Sequence, residues 1–459
     1  MAARFSLALQ CLAAFCVITV ALAAALGVVA RAANPPAVQK YYVPFPEDQL
    51  LVCFTNIWFD RTPTYTTTPQ TLPPVNPMTT YLTITVNAAG TLVYYDHWED
   101  GYEPNIDSSV QPSTEVWGDG NPANGSAPGF VSDILAAGDV IRLYNQLDSR
   151  TLQVVLDYDG RDKIGATKSI AVSRTGWSTG PETLMAGAIE VFSTGIWGTD
   201  YRAPVGENIP DSTSNDQFDY VALVISAGEG GAAVKVDLNG DDDFSDTGDI
   251  PDTNPLVLAE GESYLVDGGV LLGCHVVSFD PANPANPGNP VQVVLLAGDE
   301  GSNYETRDSS LLPTTAWSTS YYTPVSTATS VSWTGWSDPF TPQTVVWLYN
   351  PNSVAITVNT ERRIGTGAIS LGSVSVPSRS YAKVALPENS AYRFYNTSDY
   401  RFYGFSCTDA NSTQTAGGAS VAQANQAWDW GFSLIPASSL SAEFQCGLGI
   451  GRDPTAVLN

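Results

Sequence analysis

The chain has 459 residues, with 39 Gly and 31 Pro among abundant Val, Thr, Tyr and Ser, and a formal charge of -27 from 47 acidic and 20 basic residues. Such a composition belongs to strands and turns, and the length suits two or three domains of about 150 residues, each able to bury its own core. The charge repels a phosphate backbone, which argues against nucleic acid and anionic membrane as partners and suits divalent cations or basic partners.

Arg4 precedes an apolar stretch from Phe5 to Ala30, which ends in the small-x-small run Ala30-Arg31-Ala32-Ala33 before Asn34-Pro35-Pro36. That is a signal-peptide layout over residues 1–33, so export to the cell surface or extracellular space is expected. An uncleaved anchor is the alternative, because the stretch reaches the roughly 20 apolar residues a bilayer requires. With Cys11 and Cys16 in that segment, Cys53, Cys274, Cys407 and Cys446 form an even set in an oxidising compartment. Two disulfides are expected, with Cys407–Cys446 preferred because loop closure is cheapest between the nearest partners.

Along the chain, one order of events occurs three times: paired alternating strands, a small-residue turn, a further strand pair, and a Trp-Tyr-Pro signature. The copies are marked by TTYLTITVNAAGTLVYYD, DYVALVISAGEGGAAVKVDLNG and TVVWLYNPNSVAITVNT. The signature is W-x-x-x-Y-x-x-P at Trp197, Tyr201 and Pro204, again at Trp317, Tyr321 and Pro324, and loosely at Trp428, Phe432 and Pro436. A turn marker moves in step, from Gly138 to Gly261 to Ser378. The expected architecture is all-β, with tandem antiparallel β-sandwich-like modules at 34–205, 206–326 and 327–459. The Pro-rich runs RTPTYTTTPQTLPPVNP and DPANPANPGNP are excluded from central strands and read as loops or insertions.

In the second copy, Asp237, Asn239, Asp241 and Asp243 alternate through a tight loop that continues to Asp246 and Asp249. Oxygens at alternate positions suit Ca2+, which takes six to eight hard ligands at about 2.3–2.6 Å. The fit to an EF-hand loop is incomplete, since Asp242 replaces the turn glycine and Gly248 stands where a bidentate Glu belongs; a solvated acidic hairpin is the alternative. The matching region of the first copy gathers Asp96, His97, Trp98, Glu99, Asp100, Tyr102 and Glu103, with Asp107 beyond. This set suits a metal site, a carbohydrate-stacking surface or an acid/base pair; the alternative is that Trp98 and Tyr102 cap the sandwich. The third copy carries Asn359-Thr360-Glu361-Arg362-Arg363 there instead.

His97 and His275 are the two histidines, and Cys274 beside His275 is no catalytic pair, because strand neighbours face opposite ways. Sequons stand at Asn124, Asn396 and Asn411. Carboxylate pairs for glycoside hydrolysis stay open, since the acids are plentiful and their separations unseen.

The segments Tyr42-Val43-Pro44-Phe45-Pro46, VYYDHWEDGYE, STEVWGD, GESYLVDGG, LLPTTAWSTSYYTPV and WLYNPNSVAITVN resemble the amino-terminal region of large secreted or surface-anchored bacterial proteins. Those proteins contain modules similar to the amino-terminal domain of the IgGFc-binding protein. The resemblance covers nearly the whole chain after residue 33 and implies a β-rich binding or adhesive protein, with no catalytic residues to carry over. The leading expectation is thus a secreted or cell-surface, calcium-stabilised binding protein rather than an enzyme, with Trp98, Trp117, Trp197 and Trp317 meeting an extracellular glycan or protein ligand. The alternatives are a secreted glycan hydrolase or lyase using carboxylates near 96–107, and a structural subunit of a coat or fibre that associates with itself.

Overall fold

The computed structural model describes residues 38–59, 78–103, 106, 113–147, 157–178, 187–210, 217–298, 306–323, 343–387, 390–409 and 430–440. The signal segment, the run 61–77, Asp107, Asn411, Trp428 and Cys446 lie outside them. The protein is all-β, with one α-helix of 13 residues among the described residues.

Among the described residues, twenty-five strands form six antiparallel sheets, and the sheets fall into three pairs. The first pair uses β1 (Gln39–Tyr42), β2 (Met78–Val86), β3 (Val93–Asp96), β4 (Glu115–Trp117), β5 (Val140–Leu147), β6 (Lys163–Ala166), β7 (Ile170–Ser178) and β8 (Gly187–Val191). Their orders are β1-β6-β3-β4 and β5-β2-β7-β8. The second pair comprises β9 (Asp200–Arg202), β10 (Tyr220–Ala227), β11 (Ala232–Asp237), β12 (Leu256–Leu258), β13 (Ser263–Val266), β14 (His275–Asp280), β15 (Asn283–Pro287), β16 (Val291–Gly298) and β17 (Thr306–Ser310). These run β9-β14-β11-β12 and β13-β10-β16-β17, with β15 added beside β14. The third pair has β18 (Ser320–Thr323), β19 (Gln343–Asn350), β20 (Ile356–Ile364), β21 (Ser370–Val376), β22 (Ser380–Leu386), β23 (Ser390–Tyr395), β24 (Tyr403–Asp409) and β25 (Trp430–Ser433). Here the orders are β18-β23-β20-β21 and β22-β19-β24-β25. Apart from β15, the three pairs share one strand order. That added strand lies within the Pro-rich run 280–290, and its residues Asn283–Pro287 are wholly exposed at a sheet edge, as missing amide donors require.

Strand pairing shifts the phase of the repeat. Because β9 pairs with β14 and β18 with β23, the Trp-Tyr-Pro signature opens a module instead of closing one, and the divisions lie ahead of β9 and β18, not at 205 and 326. The signature tyrosine is a staple. Tyr201 Oη accepts from the Gly198 amide (2.9 Å) and donates to the Val291 carbonyl (2.7 Å). Tyr321 Oη likewise accepts from Ser318 (2.9 Å) and donates to Phe402 (2.7 Å). Tyr41, three residues before Pro44, donates to Ile170 (3.3 Å) at the matching place in the first module. Pro436, by contrast, directly precedes the 3-10 turn Ala437–Ser439, as Pro313 precedes Thr314–Ala316. Its counterpart is therefore Pro313 rather than Pro204, which overturns the looser third match.

Inward residues alternate along strands, such as Leu82, Ile84 and Val86 in the first core and Val346, Leu348, Ile356 and Val358 in the third. The outer faces are not solvated throughout. On β10, Tyr220, Ala222 and Val224 pack with Val294 and Leu296 of β16 against the helix α1 (Glu47–Phe59). That helix starts after Pro46, carries Glu47 and Asp48 in its first turn, and buries Leu50, Cys53, Phe54 and Ile57 at helical spacing. In the same manner Val345, Trp347 and Tyr349 of β19 and Phe405 of β24 join the core of the second pair.

Cys53 and Cys274 are free thiols buried in these packings; Cys407 is buried on β24. Desolvation pushes the Cys53 and Cys274 thiols well up, so both behave as small apolar side chains and neither joins a disulfide. Among the described residues no helix is long and apolar enough to cross a membrane.

The junction of the first two modules also holds buried charge. Arg174 on β7 donates to Glu47 (2.8 Å), and Asp308 on β17 packs against Gly187 on β8, with its Oδ1 buried and without a hydrogen bond. Burial, opposed by the Arg174 charge, pushes the Asp308 carboxyl from 3.8 up to about 7. The folded protein thus keeps a proton that the unfolded chain releases, and this carboxyl costs stability increasingly as pH rises from about 4 through 7. Urea unfolding of Asp308→Asn is expected to match wild type near pH 4 and to exceed it at pH 8 by on the order of 1–3 kcal/mol; a variant weaker at pH 8 contradicts this sign.

Candidate functional site

The expected loop after β3 is built around Asp162, which sequence reasoning did not single out. Asp162 is fully buried just ahead of β6. Its Oδ2 accepts from Tyr95 Oη (2.6 Å) and the Asp159 amide (2.9 Å), and its Oδ1 from the Trp98 amide (2.9 Å). His97 Nδ1 lies 3.4 Å from Oδ2. That hydrogen bond, with the charges of Asp162, Glu99 and Glu115, lifts the imidazolium to about 9 against the opposing effect of burial. His97 is thus a cation at neutral pH, held against the buried Asp162.

The seven candidates divide in two. Asp96, Tyr102 and Glu103 hold the loop: Asp96 Oδ2 accepts from the Glu103 amide (2.9 Å), Glu103 Oε1 accepts from Ser113 Oγ (2.6 Å), and Tyr102 donates to the Arg161 carbonyl (2.6 Å). Burial pushes the Asp96 carboxyl up, opposed by the Glu103 amide and Lys163. Glu99 and Asp100 are exposed, His97 and Trp98 half-buried, and the Arg161 guanidinium sits 4.6 Å over the Trp98 ring. The surface available to a ligand is therefore the turn His97-Trp98-Glu99-Asp100.

Tyr102 also reaches the next module. An added Cβ on Gly261, at φ +74°, would stand 1.7 Å from Tyr102 Oη. Next to it Glu260 accepts from Lys163 Nζ (2.7 Å) and Tyr42 Oη (2.6 Å). The DHWEDGYE and GESYLVDGG motifs thus meet across a module junction. Of the expected ligand-facing tryptophans, Trp117, Trp197 and Trp317 are buried. Trp197 and Trp317 donate to the carbonyls of Phe192 and Leu312 (3.0 Å each). They wedge modules together, and of the four only Trp98 is accessible.

The acidic loop after β11 spends its oxygens on its own backbone. Asp237, fully buried, accepts from the amides of Asn239 (3.1 Å), Gly240 (2.8 Å) and Asp242 (2.7 Å). Asn239 accepts from Asp241 (2.9 Å), Asp241 from Asp243 (2.8 Å) and Asp243 from Ser245 (3.1 Å), so the alternation appears as successive Asx turns. Asp246 accepts from the Asn239 side chain (2.7 Å) and Asp249 from the Leu238 amide (2.9 Å). The group whose ligand atoms lie within 4.8 Å of one another is Asp237, Asp242 and His275; a second such group is His97, Glu99 and Asp162. Asp242 and His275 fall outside the set read from spacing. Asp242 accepts from Arg202 and lies 3.1 Å from Arg379, and these cations, with His275, outweigh burial and hold its carboxyl below the ordinary range. Of the sequons, Asn396 is buried and bonded to the Thr357 carbonyl (2.8 Å), so it is no sugar acceptor.

No family model matches the chain, and no curated protein does. Among solved structures, the N-terminal CBM22-1-CBM22-2 tandem domain of a Paenibacillus barcinonensis protein aligns over 52% of this chain and 85% of its own, at 8% identity and a TM-score of 0.12. Overlap of that quality carries no argument about fold or function.

Gly261→Ala is expected to cost about 3 kcal/mol or more in wild type, combining left-handed strain with the tyrosine clash, and only about 1–2 kcal/mol in a Tyr102→Ala background. Equal costs in both backgrounds, measured by chemical unfolding, would show that the motifs do not meet.

Proposed function

We propose that the protein is an exported binding or adhesion-type β protein, whose ligand face is the turn His97-Trp98-Glu99-Asp100 on a stiff three-module scaffold, and not an enzyme. The observation that carries the reading is the division of labour around Asp162. Buried groups fix the turn, while two exposed carboxylates and a half-buried indole and imidazolium are presented on it. An aromatic face beside carboxylates and a cation suits a glycan, whose apolar ring faces stack and whose hydroxyls accept and donate. The same-class resemblance in the DHWEDG and LVDGG stretches supports export and adhesion.

Glycan-array screening of wild type is expected to yield binding that Trp98→Ala lowers about tenfold or more, since truncating a central aromatic anchor costs upward of 1 kcal/mol. Glycan bound without release of shortened product agrees with a binding role; product release would favour the hydrolase or lyase alternative. Binding that survives Trp98→Ala unchanged refutes the assigned face.

Calcium belongs to the same proposal, with the exposed Asp241, Asp243 and Asp246 carboxylates as donors around a loop whose turns are already formed. A ligand that binds only the native state raises its melting temperature. Millimolar Ca2+ should therefore raise that of wild type and not that of Asp241→Asn/Asp243→Asn. Absence of any shift removes calcium from the account without touching the glycan face.

A further inference from the structure

The repeat makes the two internal junctions comparable residue by residue. Across β1, β6 and β3 run Tyr42, Lys163 and Asp96; across β9, β14 and β11 run Arg202, His275 and Asp237; across β18, β23 and β20 run Tyr322, Arg393 and Glu361. Each row sets a basic side chain on the central strand beside an acid.

At the first junction the turn leading into β13 reaches the row itself, and at the second the turn leading into β22 reaches Asp242, which bonds Arg202 and His275 of the row. Glu260 of the first turn meets Lys163 (2.7 Å), and Arg379 of the second meets Asp242 (3.1 Å) and the Asp241 carbonyl (3.0 Å). Lys163 is 1% exposed and His275 9%. Among the described residues the third row has no such cover. Tyr322 is 41% exposed, and Arg393, 3.5 Å from Glu361 and 4.6 Å over Tyr395, is half-buried beside it and donates to Ser320 Oγ (3.2 Å).

The first module holds the complementary part. Its turn Ala136–Asp139 has the geometry of the covering turn: Gly138 at φ +89° matches Gly261 at +74° and Arg379 at +49°. Asp139 caps the Ala136 amide (2.6 Å) as Glu262 caps Ala259 (2.7 Å). Residues 136–138 are exposed, with Val131 and Ile134 exposed nearby. The turn carries Asp139 and no cation, which suits Arg393.

We infer that the Tyr322–Arg393–Glu361 row is the docking site for a second copy of this chain, which presents its Ala136–Asp139 turn as the second and third modules present theirs within one chain. Such a contact joins two different surfaces, so it propagates head to tail into open filaments or rings. It continues an interface the protein already builds twice, and it stands independently of the glycan reading.

Sedimentation of the full chain at physiological salt, over a wide concentration range, tests it. Wild type should associate with rising concentration, and Arg393→Glu should weaken association about tenfold or more by setting like charges together. Ala137→Glu restores the acid that Glu260 supplies at the first junction and should strengthen association. Arg393→Glu combined with Ala137→Arg should regain it. Ala137 is exposed and Arg393 half-buried, and unchanged melting curves confirm that the variants fold. Monomers throughout, Ala137→Glu included, overturn the inference, as does association indifferent to Arg393→Glu.

Discussion

Everything in this architecture depends on sheets buried on both faces. A lone sandwich solvates one face of each sheet, and its strands then alternate apolar with polar. Here β10 and β16 are buried along their whole length, because their outer faces meet α1 while their inner faces meet their own core. The outer face of β19 is taken up in turn by the second module. The second and third modules therefore complete their burial by using their predecessors. At about 25 cal/mol per Å2 of apolar surface removed from water, burying these faces stabilises the relative placement of the modules.

That constraint explains where the aromatic signature sits. Trp197 and Trp317 occupy the hinge points between modules, with indole nitrogens bonded to the chain just upstream. The tyrosine four residues later pins the first strand of the new module to the entrance of a strand some eighty to ninety residues on, at Phe402 or Val291. Sequence displays the signature clearly but not which side of the division it serves, because the pairing of β9 with β14 is a long-range event. The turn marker shows the same limit. Gly138 and Gly261 stand out as glycines, whereas the third copy places Arg379, adjacent to the expected Ser378, in the left-handed conformation.

The fold class and the threefold order were legible because period-two alternation and turn residues are local. The helix α1 was not, since Glu47–Phe59 reads as one more apolar run until its spacing is set against the face it covers. In the candidate site, the exposed residues could be read directly from DHWEDG. Asp162 could not, because its role rests on contacts 64 and 67 residues away in the chain; its one local trace is the turn Asp159-Gly160-Arg161-Asp162. The alternating acids at 237–249 suggested a metal, and their alternation is accounted for by Asx turns that organise the loop from within.

The account's central claim is that the modules share burial and so form one cooperative body. Scanning calorimetry of the full chain, read alongside amide hydrogen exchange on β10, β16 and β19, tests it most directly. One transition, with those strands reaching a common protection, is the predicted result. Separate transitions assignable to individual modules, or β19 exchanging long before β10, would contradict it.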